Sequence, residues 1–138
     1  RLPYAYGARL RGKGEDSILE RFIGNGRYHE AIIHNGGLYL SGQTATEAGN
    51  DIIGQSVATL RKVEDLLKRL GSDRAHILHA DVYLREQEDV AAFNAVWEQW
   101  VEKGKEPTRA CMVTRLGRTS ILVEIVMVAA MREDAPKR

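Results

Sequence analysis

The ten residues Ile121-Leu122-Val123-Glu124-Ile125-Val126-Met127-Val128-Ala129-Ala130 constrain the fold of this chain more than any other stretch. They are apolar at both alternating positions and rich in β-branched side chains, the composition of a strand covered on both faces. Helices of the same chain can cover one face, and a second subunit is the natural cover for the other. Glu124 is the exception within the run. Its carboxylate needs water, a structural ion pair with Arg115 or Arg118, or a role as acceptor in a dry cleft beside Arg109. Periodicity alone does not choose among these.

The remaining elements can be read by their spacing. A strand is expected over 17–23. Two apolar segments, 28–33 and 38–41, flank Asn35-Gly36-Gly37, a hairpin signal because the turn needs residues tolerant of positive φ. A loop over 44–50 leads to Asp51, which can cap a helix running to about Leu70. There Ile52, Val57, Leu60, Val63, Leu66, Leu67 and Leu70 recur at helical spacing, and Gly71 stops the helix. Residues 77–84 alternate as a strand. A second helix opens near Asp89 and runs to about Val101, with a stripe of Val90, Phe93, Val96, Trp97 and Trp100. Two last strands, 109–115 and 120–131, are expected to form a hairpin about Gly117. The pattern is α+β: a mixed sheet with two helices on one face. It is read as one domain, with residues 1–16 a peripheral arm and 132–138 a frayed tail.

A chain of 138 residues with 43% hydrophobic and 28% charged residues can bury a core without metal or disulfide help. A net charge of +1 gives no global field to draw in a polyanion, so nucleic acid is not an expected partner. The single cysteine and the lack of a signal-like apolar stretch favour a cytoplasmic setting, and no run is long enough for a membrane span.

Arg109 follows Pro107-Thr108 where a loop becomes a strand, a place that displays side chains at clefts. Its guanidinium can grip a carboxylate through two parallel hydrogen bonds; equally, it can be an ordinary surface cation. Cys111, two residues on, shares its strand face. It reads as an inert thiol, because nothing nearby in sequence would activate it. The histidines at 29, 34, 76 and 79 lack metal-ligand spacing, and Trp97 and Trp100 read as core. With no phosphate-cradling loop and no serine elbow, neither cofactor nor metal is expected.

Several short motifs combine into one resemblance. Tyr28, thirteen residues before Ser41 in Tyr39-Leu40-Ser41-Gly42-Gln43, comes first. Asp51-Ile52, Phe93-Asn94-Ala95-Val96-Trp97, Pro107-Thr108-Arg109-Ala110-Cys111 and Leu122-Val123-Glu124-Ile125 follow. Together, over about 28–131, the chain resembles the Rid family (reactive intermediate deaminase, also called the YjgF or L-PSP endoribonuclease family). The resemblance implies a chorismate-mutase-like α+β fold, a homotrimer with clefts between subunits, and hydrolysis of 2-imino acids to 2-oxo acids and ammonia. By motif matching, Arg109 would bind the substrate carboxylate and Glu124 would orient or activate water. Ser41 and Gly42 would line the pocket, and Tyr28, Asn94 and Cys111 would close it.

The chain departs from the family pattern at the pocket rim. Gly26-Arg27 precede Tyr28 in place of Gly-Pro, and Thr44-Ala45-Thr46 follows Gln43 without a proline. A pathway-specific aminoacrylate or aminomuconate deaminase is therefore kept as an alternative, and beside it a 2-oxo-acid-binding or chaperone-like trimer that retains the cleft without catalysis. Ribonuclease activity is not expected: no basic stripe is interleaved with aromatics, and no histidine pair is placed for phosphodiester cleavage.

Overall fold

The computed structural model describes residues 19–135; the expected arm over 1–16 lies outside them. Six strands form one sheet: β1 (Glu20–Gly24), β2 (His29–His34), β3 (Gly37–Leu40), β4 (Ile77–Leu84), β5 (Thr108–Val113) and β6 (Val123–Ala130). Two helices, α1 (Ile52–Arg69) and α2 (Val90–Trp100), complete the fold. The strand order is β1-β2-β3-β6-β4-β5.

Local chemistry explains most element ends. The β2–β3 turn is made by Asn35 and Gly36 at φ 50° and 77°, the pair of positive dihedrals that a two-residue hairpin of matching twist requires. Asp51 caps α1 by accepting the Gly54 N–H at 2.8 Å. At the other end Gly71, at φ 97°, reverses the chain. The Ser72 N–H reaches the Leu67 carbonyl at 2.8 Å and the Gly71 N–H that of Lys68, closing the helix in a Schellman pattern.

Topology places both helices on one side. Strands β3 and β4 are each antiparallel to β6, so they run the same way, and β4 is parallel to β5. Helix α1 links β3 to β4 and α2 links β4 to β5, both moving in the same direction along the sheet. Right-handed crossovers then set both helices on the same face. Against that inner face pack Val123, Ile125, Met127 and Ala129 of β6, each no more than 1% exposed, with Leu60, Val63 and Leu67 of α1 and Phe93 of α2. The alternate residues Glu124, Val126, Val128 and Ala130 point to the outer face and are only half-buried. The cover expected on both faces of this strand is present on one.

Three expectations are corrected. The last two strands do not form a hairpin. Strand β4 lies between them, because parallel pairing of β5 with β4 through α2 takes the edge position and sends the chain over the end of β4 to reach β6. The segment after Met131 is not frayed as far as Ala135. The Arg132 N–H donates to the Gly71 carbonyl, its guanidinium donates to the Ser72 carbonyl, and Ala135 is buried; residues 136–138 lie outside the described residues. Val57 is exposed, whereas Gln55, Ser56 and Thr59 are fully buried in the first turns of α1.

The Asp51 cap gives a direct test of this boundary. Asp51→Ala should lower unfolding free energy by about 1 kcal/mol, read as an earlier urea midpoint with an unchanged slope. No change would mean that the helix start is held by packing alone.

Candidate active site

The residues singled out by sequence fall into two groups on opposite faces of the sheet. Arg109 is in register with Ala80 and Cys111 with Val82, so both side chains lie on the helix side. Glu124 is in register with Tyr83 and lies on the outer face. Within one chain the sheet separates the guanidinium from the carboxylate, and the pairing anticipated between them is not made.

Arg109 sits at the exposed edge strand. Its Cζ lies 5.3 Å from the Trp97 ring centroid and 5.9 Å from that of Phe93. Read from sequence as core alone, the α2 stripe thus also forms a bed for this cation, a role that an i, i+4 aromatic pair facing an arginine strand can suggest in advance. No carboxylate among the described residues lies in ion-pair range of Arg109, and no cation among them forms a salt bridge with Glu124. Both groups keep their hydrogen-bonding capacity free.

Around Arg109 an open groove of about 370 Å³ is lined by Asn94, Trp97, Glu98, Val101, Glu106 and Pro107, among others. Asn94 belongs to this half: its Oδ1 is buried with no hydrogen-bond partner among the described residues. Glu106 is held below the usual carboxylate range by its own backbone N–H and that of Gly104, with Lys103 adding to the effect. Cys111 is half-buried and packs on the core, without a polar role.

On the outer face Glu124 lies against Gly42, with Ser41 next to Gly42 in the chain and bonded to β2, before which Tyr28 stands. A Cβ built on Gly42 would come within 2.1 Å of Glu124 Oε2, so only glycine leaves room for that carboxylate. The two segments are tied by a reciprocal bridge, the Gln43 N–H to the Ile125 carbonyl at 2.9 Å and the Ile125 N–H to the Gln43 carbonyl at 3.1 Å. Ser41 donates its hydroxyl to the His29 carbonyl at 2.6 Å and its N–H to the Glu30 carbonyl, so it locks β2 to the end of β3. Tyr28 stands at the start of β2 on a turn held by Asn25, whose Oδ1 accepts its N–H at 3.0 Å; its side chain is 58% exposed. Tyr83, beside Glu124 across the β4–β6 ladder, was not anticipated as a neighbour, since only the register reveals it.

The outer face itself is unusually apolar for a surface. Ile32, Tyr39 and Val128 form one row across β2, β3 and β6, continued by His79 and Thr108. The His79 ring bridges Thr108 Oγ1 at 2.7 Å and Asp81 Oδ1 at 2.9 Å. Among the described residues no helix is long and apolar enough to cross a membrane.

These features define the class: a mixed α+β sheet of chorismate-mutase-like type with both helices on one face, an arginine groove on the helix side and a glycine-backed carboxylate on the other. The chain belongs to the YjgF or Rid family, whose model, described as Endoribonuclease L-PSP, matches residues 19–131. It is 32% identical over 117 residues to a RutC family protein of Haemophilus ducreyi, covering 85% of this chain and all of that one. It is also 32% identical over 113 residues to the RutC family protein YoaB of Escherichia coli, covering 82% of this chain and 98% of YoaB. Among solved structures, NMB1025 from Neisseria meningitidis, a member of the YjgF protein family, superposes with a TM-score of 0.81 at 39% identity. That match covers 84% of this chain and 97% of NMB1025.

Gly42→Ala tests the contact at the centre of the carboxylate half. The variant should fold with a nearly unchanged unfolding midpoint, since Gly42 is exposed and its backbone is unstrained, but Glu124 should swing away in its crystal structure. A Glu124 side chain that keeps its place in that variant would refute the steric argument.

Proposed function

We propose that this protein hydrolyses 2-imino acids, or the enamines that tautomerise to them, to 2-oxo acids and ammonia, in clefts formed between three copies of the chain. The observation that carries the proposal is the division of the site. An unpaired arginine on one face and an unpaired carboxylate on the other, 15 residues apart in sequence, can meet one substrate only when the arginine half of one copy is brought to the carboxylate half of the next. The apolar outer face, the exposed Tyr28 ring and the unpartnered Asn94 Oδ1 all support such an assembly, because each is a cost to a lone chain that a neighbour could remove.

The chemistry asks little of the protein. A protonated imine carbon is already electrophilic, so the tasks are to fix the acid end and to place a water. Arg109 binds the carboxylate through two N–H donors while its ring contacts leave those donors available. Glu124 accepts a proton as water adds to the imine carbon, passes it to the nitrogen of the tetrahedral adduct, and takes up the adduct's hydroxyl proton as the C–N bond breaks and the C=O bond forms; that last proton then leaves with ammonia or to water. The products are a 2-oxo acid and ammonia, with no covalent intermediate. Ser41 and Gly42 shape the wall beside Glu124, and Tyr28, Asn94 and Cys111 close the cleft.

Arg109→Ala removes two charge-assisted hydrogen bonds, a loss of about 3–6 kcal/mol, and should lower kcat/KM by roughly 10² to 10⁴-fold. Ammonia release from 2-iminopropanoate, generated in situ by an amino-acid oxidase, is the assay, with native mass to confirm three chains. Retained activity would rule out this assignment. Mixing Arg109→Ala with Glu124→Gln chains after co-refolding gives a second, sharper result. If each cleft takes Arg109 from one copy and Glu124 from the next, random mixing restores about a quarter of wild-type activity, whereas a site built within one chain restores none.

A further inference from the structure

We infer that Gln55 is a positioning residue that fixes Glu124 by clamping together the two segments that converge on it; the catalytic consequence rests on the imine-hydrolase reading above. Gln55 lies in the first turns of α1 and is 0% exposed. Its Nε2 donates to the Gly49 carbonyl at 2.7 Å and to the Ser120 carbonyl at 2.9 Å, and its Oε1 accepts the Leu122 N–H at 3.0 Å. Both amide hydrogens and the oxygen are used. Exchanging O and N would set a donor against the Leu122 N–H and an acceptor against two carbonyls, so the network admits one orientation.

The placement of these partners gives the side chain its role. From the bridge between Gln43 and Ile125, one segment runs forward to Gly49 and the other runs back to Leu122 and Ser120. The two segments are joined at one end by that backbone bridge and at the other by Gln55. Glu124 lies on the second segment, next to that bridge, and touches Gly42 just outside it. A buried glutamine on the helix face that also buries Ser56, Thr59, Leu60 and Val63 has no packing advantage over leucine or methionine. Its three bonds to backbone instead make the rim loop over 44–50 and the start of β6 one unit. Arg85 holds the same approach to β6 from the sheet side, donating to the carbonyls of Ile121, Leu116 and Arg118. It does not reach the 44–50 loop in any bond found among the described residues, so the coupling of the two segments falls to Gln55.

The position was not singled out from sequence, because glutamine reads as a solvent residue. Extending the stripe of Leu60 and Val63 toward the N-terminus by helical spacing lands on 55, 56 and 59, which is the signal that could have found it.

Gln55→Met, of similar shape but without the three bonds, tests the clamp, with Gln55→Asn as a second variant whose shorter amide cannot reach all three partners. Two readouts are taken on the assembled protein. Amide hydrogen exchange over 43–49 and 119–124 should quicken at least about tenfold while β4 stays at the wild-type rate, as local opening predicts. Imine hydrolysis should lose kcat by at least about tenfold with KM changed less than about threefold, because Arg109 and the carboxylate grip are untouched. Unchanged exchange in both segments would overturn the clamp whatever the activity. Faster exchange with unchanged kcat, or kcat and KM failing together with loss of assembly, would overturn the positioning role. Absence of imine hydrolysis by wild type would instead refute the proposed function and leave exchange to decide the clamp.

Discussion

The pairing of β6 on both edges, with β3 on one side and β4 on the other, is the constraint from which the rest of the molecule follows. The connections through α1 and through the 114–122 loop are arranged around it, and its odd-numbered residues supply the most deeply buried part of the sheet. Because side chains alternate with period two, burying Val123, Ile125, Met127 and Ala129 under the helices obliges Glu124, Val126 and Val128 to face outward. A slip of one residue would drive Glu124 into the core beneath α1, at a cost of several kcal/mol for an unpaired buried carboxylate, so the core register and the carboxylate's location are one fact. The outer face that results sets the apolar Val126 and Val128 beside the Glu124 carboxylate.

How far this could be read in advance depended on whether the signal was local. The Asn35-Gly36 turn, the Asp51 cap and the Gly71 stop are each decided by a handful of adjacent atoms, and each stands where the residue types indicated. The order of strands is not local. Arg109–Cys111 and the β6 segment looked like partners because they are neighbours in the chain, yet the crossover through α2 puts β4 between them. The same missing register concealed the split of the site. Which face Arg109 or Glu124 occupies follows from what each strand pairs with, and parity along a single strand cannot supply that. Gln55 escaped notice for a different reason: its burial is offset by three backbone bonds to segments 6, 65 and 67 residues away, and no local rule for a polar helix residue contains them.

The setting of Arg109 also bears on what the groove would accept. An arginine paired with a carboxylate of its own chain would have to surrender that pair before taking a ligand. Resting over Trp97 and Phe93 instead, at a gain of about 0.5–2 kcal/mol, it is oriented without losing its donors, and a bidentate carboxylate at about 3 kcal/mol or more outweighs what the rings supply. Nearby, Glu106 stays ionised because its own N–H and that of Gly104 stabilise the charged form, and Glu98 lines the same wall. Lys103 stands in that wall too, so with Arg109 the two carboxylates face two cations and set up no net negative potential. These three side charges lie at an open rim where water and salt screen them, so Arg109 is the groove's anchor. A ligand that ends in one carboxylate meets that anchor through two parallel hydrogen bonds. A simple amine does not, because the guanidinium offers donors only.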